Sequence, residues 1–231
     1  MTLPRAPRVT ACADAILQRV DLLNNPYFKA LGDGSMSKEC FRATQEQFLF
    51  AVRYFPRPMA ALISRLPEPT LRIGILHNIV EEHGDFEESR FHQNTFRQFL
   101  SSIGSAGPKT DGPAMWPAVH AFNSILMSAC ACDELETGVC CLGIIERAFA
   151  DISTLIGRAV VGRGWVAPND LVHYTVHAEL DVRHADDFFA MVEPEWDDPR
   201  RRCAVEQGLE LGAYAFDALY RGLYTRAAQS R

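Results

Sequence analysis

Residues 177 to 184 read HAELDVRH, placing His177, Asp181 and His184 at relative offsets of zero, four and seven. At about 100° per residue, those offsets bring the three side chains within roughly 60° of one another on one helix face. Tyr174 and Phe188 fall on the same stripe, and the apolar run Phe188, Phe189, Ala190 and Met191 follows at once. A polar triad on an apolar stripe is costly to bury unless it meets partners inside the protein. Imidazole and carboxylate carry protons and donate to metals, so the partner is either another polar group or a cation.

Two further segments offer the same kinds of group. Glu146 shares a helical stripe with Leu142 and Phe149, so it faces the side that should be buried. A buried carboxylate must be paired, protonated or bound to metal, and an arginine across the core would suffice. The stretch NIVEEHGDFEESRFHQ, residues 78 to 93, carries Glu81, Glu82, His83 and His92. Alone, an acidic run beside a glycine reads as a solvated helix end. Taken together, three separate segments each aim carboxylate or imidazole at one interior. Helical bundles use that construction to hold pairs of iron or manganese ions. A donor set of oxygen and nitrogen without thiolate suits those metals. The chain has seven cysteines, and Cys130, Cys132, Cys140 and Cys141 cluster as C-x-C…C-C rather than as paired C-x-x-C. Set among Ala, Leu, Val and Gly, they read as small core residues.

The elements that must position these groups are helical nearly throughout. Residues 10–24 show apolar positions at i, i+3 and i+4 and stop at Asn25-Pro26. Ser37 caps KECFRATQEQFLFAVRYF, which ends before Pro56. A short segment runs to Leu66, then LRIGILHNIVEE is broken by Gly84, and a further helix is expected from about Glu87 to Ser102. Residues 101–113 read as a connection between helices. Four longer helical patterns follow, with Asn169 and Asp198-Pro199 as sensible starts for the last two. No alternating strand pattern persists. The expectation is an all-α bundle forming a single domain over residues 1–231, with its core at about 10–226.

Composition narrows the function classes. The 231 residues are 48% hydrophobic and 23% charged, which supports a full core. A formal net charge of −6 with lysine only at 29, 38 and 109 argues against nucleic acid and against a polybasic membrane patch. The apolar runs are far short of the ~20 residues that a membrane span needs. MTLPRAPRVTACADAIL lacks the basic-then-apolar layout of a signal peptide, so a cytoplasmic protein is expected.

In order along the chain, NPYFKALGDGSMSKE, AVRYFPRPMAALISRLP, NIVEEHG followed by His92, Glu146, HAELDVRH and FDALYRGLY resemble the haem-oxygenase-like di-iron oxidases. That superfamily also contains thiaminase II and the cofactor-free pyrroloquinoline-quinone synthase. The resemblance spans roughly residues 20–225 and implies a haem-oxygenase-like helical bundle. It implies the metal ligands Glu82, His92, Glu146, His177, Asp181 and His184, holding two Fe(II), with manganese as the other candidate. Glu82 and Glu146 would be the carboxylates nearest the chemistry. Glu82 follows from the family's spacing from Asn78. Helix geometry alone would favour Glu81, since eleven residues before His92 make three turns, but Gly84 breaks the helix and geometry does not decide. Members with this set activate dioxygen and oxidise small molecules, including amino acids and medium-chain fatty acids. The implied partners are O2 and a small carboxylate-bearing substrate, and a homodimer stays open. One relative makes para-aminobenzoate from its own tyrosine with the help of a lysine. The matching positions here are Phe28, Thr44 and Ile156, with Tyr27 one residue out of register, so the resemblance does not extend to that activity.

The alternatives are a metal-free thiaminase II-like or quinone-cofactor-synthase-like enzyme, and a non-catalytic binding module on the same fold. In the last, Glu146 and the triad would be a buried network with arginines. Arg53, Arg57, Arg65 and Arg72 are candidates to hold a substrate carboxylate bidentately. Charge adds one more expectation. Glu82, Glu146 and Asp181 bring −3 into one interior and two Fe(II) bring +4, so residues 167–191 should loosen without metal.

Overall fold

The computed structural model describes residues 5–105 and 115–229. Its helices are α1 (Pro7–Val20), α2 (Pro26–Gly32), α3 (Lys38–Tyr54), α4 (Pro56–Ile63), α5 (Pro69–Glu82), α6 (His92–Ser102), α7 (Pro117–Ala131), α8 (Leu135–Gly162), α9 (Val172–Val192) and α10 (Pro199–Gln229). Among the described residues there is no strand. Proline opens α1, α2, α4, α5, α7 and α10, where its missing N–H costs no helical hydrogen bond. Side chains also cap helix starts. The Ser37 hydroxyl accepts from the Cys40 N–H at 3.1 Å, and Asp198 accepts from the Arg200 N–H at 2.8 Å.

The central helix is α8, buried along almost its whole length between α9 and α10. Small residues set how closely these helices approach. A Cβ on Gly208 would lie 2.4 Å from the Thr137 carbonyl oxygen, and one on Gly212 would lie 2.5 Å from that of Cys141. The backbones of α10 and α8 therefore meet directly. Cys130, Cys140 and Cys141 sit in this core, and burial pushes their thiols up, so they stay protonated and inert. Cys132 departs from the packing expectation: it is exposed, because α7 ends there and its last turn reaches the surface.

Two helix starts also differ from the sequence reading. α6 begins at His92 rather than near Glu87, because Gly84–Phe86 and Glu88–Arg90 are separate 3-10 turns. Asn169 lies in a 3-10 turn over Pro168–Asp170, and α9 starts at Val172. Of the expected 101–113 connection, residues 106–113 lie outside the described residues. No described helix is long and apolar enough to cross a membrane.

Replacing Gly212 by alanine should force α10 and α8 apart and destabilise the fold by about 1–3 kcal/mol. Urea unfolding followed by circular dichroism measures this. A midpoint unchanged from wild type would mean that the contact is not tight in solution.

Candidate metal centre

Four helices converge on one buried polar volume. The last turn of α5 supplies Asn78, Glu81 and Glu82, the first residue of α6 is His92, mid-α8 supplies Glu146, and α9 supplies His173, His177, Asp181 and His184. The path from Glu82 to His92 depends on a left-handed run at Gly84 (φ 56°), Asp85 (φ 54°) and Phe86 (φ 68°). At Gly84 a Cβ would sit 2.5 Å from the Arg90 backbone, so only glycine lets the chain fold back this tightly. That reversal brings His92 against Glu82, with Nδ1 2.9 Å from Oε1.

The six side chains singled out in the sequence fall into two groups of three. Glu82, His92 and His177 form one, and Glu146, Asp181 and His184 form the other. In each group one potential donor atom per residue lies within 4.8 Å of the others. All six are buried. Asp181 ties the groups together. His177 Nδ1 donates to it at 2.9 Å, and His184 Nδ1 lies 3.6 Å from the same Oδ1. The rings of His92 and His177 meet edge to face with centroids 4.6 Å apart.

Burial alone would raise the carboxylates and lower the imidazoles, and the close pairing reverses most of this. Despite burial, Glu82 is held below the ordinary carboxylate range by His92, and Asp181 by His177. Burial and the nearby Asp181 push Glu146 up. His177 is raised against its burial by Asp181, and His184 is pushed up to about 12 by Asp181, Glu146 and Glu81. The carboxylates thus favour the protonated forms of His177 and His184.

Orphaned and outward-held atoms show that the donors fit a metal. His184 Nε2 donates to Glu81 Oε2 at 2.5 Å, which fixes the ring from outside. Its Nδ1 is buried with no hydrogen-bond partner and lies 3.7 Å from Glu146 Oε2. Those separations are too long for hydrogen bonds. They suit two donors sharing one cation about 2 Å from each. A carboxylate behind a ligating histidine is the usual outer support of a metal site. Glu146 is oriented in turn by the Asn78 side-chain amide, which donates to Oε1 at 2.6 Å. No arginine reaches Glu146 or Asp181 among the described residues, so the arginine network expected of a non-catalytic module does not form there.

Three residues near this centre take roles that the sequence reading did not give them. Glu81 is not the carboxylate beside His92: it takes His184 Nε2 and Arg183, and the hydrogen bond from His184 holds it down to about 2. Asn78 served only as a spacing mark. His173, one turn before His177, is buried with its ring centroid 4.4 Å from that of His177. The signal for it was present as the i, i+4 pair in HYTVH. Thr95 donates its single hydroxyl proton to the His92 carbonyl at 3.0 Å, so it can only accept from His173 Nδ1, 3.4 Å away. That assigns the proton to Nδ1 and leaves the buried Nε2 bare and unpartnered.

An apolar chamber of about 50 Å³ abuts the centre. Phe48, Phe55, Phe122, Phe149 and Phe216 line it, with Glu82, Glu146 and His177 at its polar end. No cysteine lines it, which removes the nucleophile that a thiaminase II-like reaction would need.

The profile of a family described as "Iron-containing redox enzyme" matches residues 42–216, a span that takes in all six side chains. The chain belongs to that family. Membership establishes an iron-containing redox enzyme, as the resemblance implied. A protein named 4-aminobenzoate synthase from Chlamydia muridarum is 26% identical over 181 residues, covering 78% of this chain and 75% of that one. Another of the same name from Nitrosomonas europaea is 23% identical over 221 residues, covering 91% and 87%. A domain of unknown function with a heme oxygenase-like fold from Shewanella denitrificans has a TM-score of 0.75 at 15% identity, over 97% of this chain and 92% of that one. The all-α, haem-oxygenase-like fold expected from the sequence is therefore the fold of this iron-containing redox enzyme.

Replacing Glu81 by alanine should free the His184 ring and weaken Fe(II) binding about 10- to 100-fold, as loss of an outer support typically does. Anaerobic titration measures it, and wild-type affinity in this variant would remove Glu81 from that role.

Proposed function

We propose that the chain is a non-haem di-iron oxidase that uses dioxygen to oxidise a small carboxylate-bearing molecule. The observation that carries this reading is the pair of buried donor triads joined by Asp181, with His184 Nδ1 left unpartnered between two carboxylates. In this reading Glu82, His92 and His177 hold one ion and Glu146, Asp181 and His184 the other. Bound Fe(II) would supply the electrons and the oxygen-binding positions that no side chain here can provide. Manganese takes similar donors and is the alternative metal.

The remaining work falls to the chain. Glu81 and Asn78 hold the inner donors in place from outside, so little reorganisation is needed when metal arrives. The phenylalanine walls of the chamber exclude water from the face where substrate would lie. His173 presents a neutral, bare nitrogen beside His177 and can accept a hydrogen bond there. The relatives' name suggests 4-aminobenzoate synthesis as a second reading. Against a version that consumes the chain's own tyrosine stand Phe28, Thr44 and Ile156, all buried at the positions that the resemblance ties to it. Tyr27 is buried as well, and its hydroxyl is shared with Thr44 at 3.0 Å and Gln45 at 2.7 Å. We therefore favour a substrate that arrives from solution.

Anaerobic titration with Fe(II) should saturate near two equivalents per chain, and His177→Ala should lose at least one, because neutral imidazole is a preferred iron ligand. A wild-type protein that binds no iron would sink the proposal. Uptake should also release protons, since His177 and His184 hold theirs tightly in the metal-free chain. Apparent affinity should then rise with pH across the neutral range. A flat profile would show that the imidazoles are already neutral before metal binds.

A further inference from the structure

The chamber beside the metal centre has a vestibule. A second cavity of about 360 Å³ is lined by Arg53, Pro56, Arg57, Ile79, His83 and Gln93, and it shares Val52 and Glu82 with the chamber. Sharing those two residues, it adjoins the chamber and would give a molecule in solution a route to the phenylalanine walls. A third cavity, about 200 Å³, lies on the other side of the centre, against Glu81, His92 and His173.

The charge layout of this route is uneven. Arg53 stands in the last turn of α3 and Arg57 in the first turn of α4, and only Phe55 separates the two helices. Most other arginines near the core are committed. Arg65 donates to the Cys130 carbonyl at 2.8 Å, Arg72 to the Leu66 carbonyl at 2.8 Å, and Arg183 to Glu81 at 2.7 Å. Of the four arginines considered in the sequence, Arg65 and Arg72 are thus structural braces and line neither cavity. Among the described residues, Arg53 and Arg57 are in no ion pair. The Arg57 guanidinium is held 5.4 Å over the Tyr54 ring, an arrangement that leaves its edge donors open. At the inner end the sign reverses, with Glu82 and Glu146 at the chamber's polar wall.

An anion in the outer cavity has Arg53 and Arg57 beside it, in no ion pair among the described residues, with Glu82 at the boundary and Glu146 further in. An apolar group meets Val52, Pro56, Ile79 and Phe91 beside the two arginines, and five phenylalanines in the chamber. We propose that Arg53 and Arg57 form an anion-recognition subsite. They hold the carboxylate of an amphipathic substrate at the mouth, so that its apolar end, and not the carboxylate, lies against the metal centre. The proposal rests on reading the two triads as that centre. It makes Arg53 and Arg57 specificity-determining residues, with bidentate geometry available from either. It also fixes which end of the substrate is presented for oxidation. The plain alternative is that both are solvated surface arginines.

Hexanoate and hexanamide are suitable probes, because they differ in charge and not in length. Calorimetry on the full chain should show hexanoate binding at least tenfold more tightly than hexanamide. The double variant Arg53→Gln/Arg57→Gln should erase that preference while leaving hexanamide affinity unchanged. With Mn(II)-loaded protein, proton relaxation should broaden the terminal methyl of hexanoate more than its α-methylene. A double variant that keeps the preference, a wild type with no preference, or stronger broadening at the α-methylene would each overturn the proposal. If Mn(II) does not bind, the reading of the triads as a metal centre fails, and the calorimetric comparison, which needs no metal, still decides the arginines.

Discussion

Three carboxylates buried in one interior are the constraint on which the structure turns. Each like-charge pair about 4 Å apart costs on the order of 4 kcal/mol at an effective dielectric of 20. Net stabilities of domains are only about 5–15 kcal/mol. Glu82, Glu146 and Asp181 cannot share a core unless something between them is positive. Counting carboxylates alone leads to a site that springs open without metal. The structure also sets an imidazole beside each carboxylate: His92 beside Glu82, His177 beside Asp181, and His184 between Asp181 and Glu146. Protons on His177 and His184 can offset this charge, and metal ions would replace them with the same sign.

That solution requires side chains from α5, α6, α8 and α9 to arrive within a few ångströms of one another, and backbone features permit it. Gly84 and the left-handed residues after it fold His92 back onto Glu82. Gly143 of α8 has Phe188 and Phe189 where a side chain would be, since its Cβ would fall 2.7 Å from Phe189. This lets α9 lie close enough for Asp181 and His184 to reach the level of Glu146, one turn further along α8. Gln45 of α3 braces the same helix by accepting from the Tyr174 hydroxyl while donating to that of Tyr27. The aromatic chamber is then the space left where α3, α7, α8 and α10 turn apolar faces toward the polar wall.

How much of this was legible in the sequence depended on whether the signal lay within one helix. HAELDVRH needed only a helical period, and the stripe that carries Glu146 could be read in the same way. His173 shares His177's face by the same spacing. Its bare nitrogen, however, is visible only through the hydrogen bonds of Thr95, which lies on a different helix. The start of α6 was misplaced because Glu87 to Arg90 carries residues that favour a helix. The chain instead uses them to recover from the left-handed turn at Gly84–Phe86. Periodicity cannot see such a turn, since it is set by a close approach between Gly84 and Arg90 in three dimensions. For the same reason nothing along the chain separates Arg53 and Arg57 from Arg65 and Arg72. What differs is which carbonyl or carboxylate lies within reach.

The choice between Glu81 and Glu82 shows what such ambiguity conceals. Adjacent residues on a helix point about 100° apart, so at the end of α5 one carboxylate can face inward only if the other faces aside. Glu82 takes the inward direction and is 8% exposed, whereas Glu81 turns toward the edge of α9. There it meets Arg183 and His184, which also diverge as neighbours on one helix: Arg183 to solvent, His184 to the interior. The two consecutive pairs interlock, with Glu81 accepting from both residues of the other. In its neutral form His184 would thereby carry its proton on Nε2, and Nδ1 is the nitrogen left to face Glu146 and Asp181. The two glutamates were posed as alternatives for one position, but they act on different atoms of the same centre: Glu82 from within, and Glu81 through the ring that it orients.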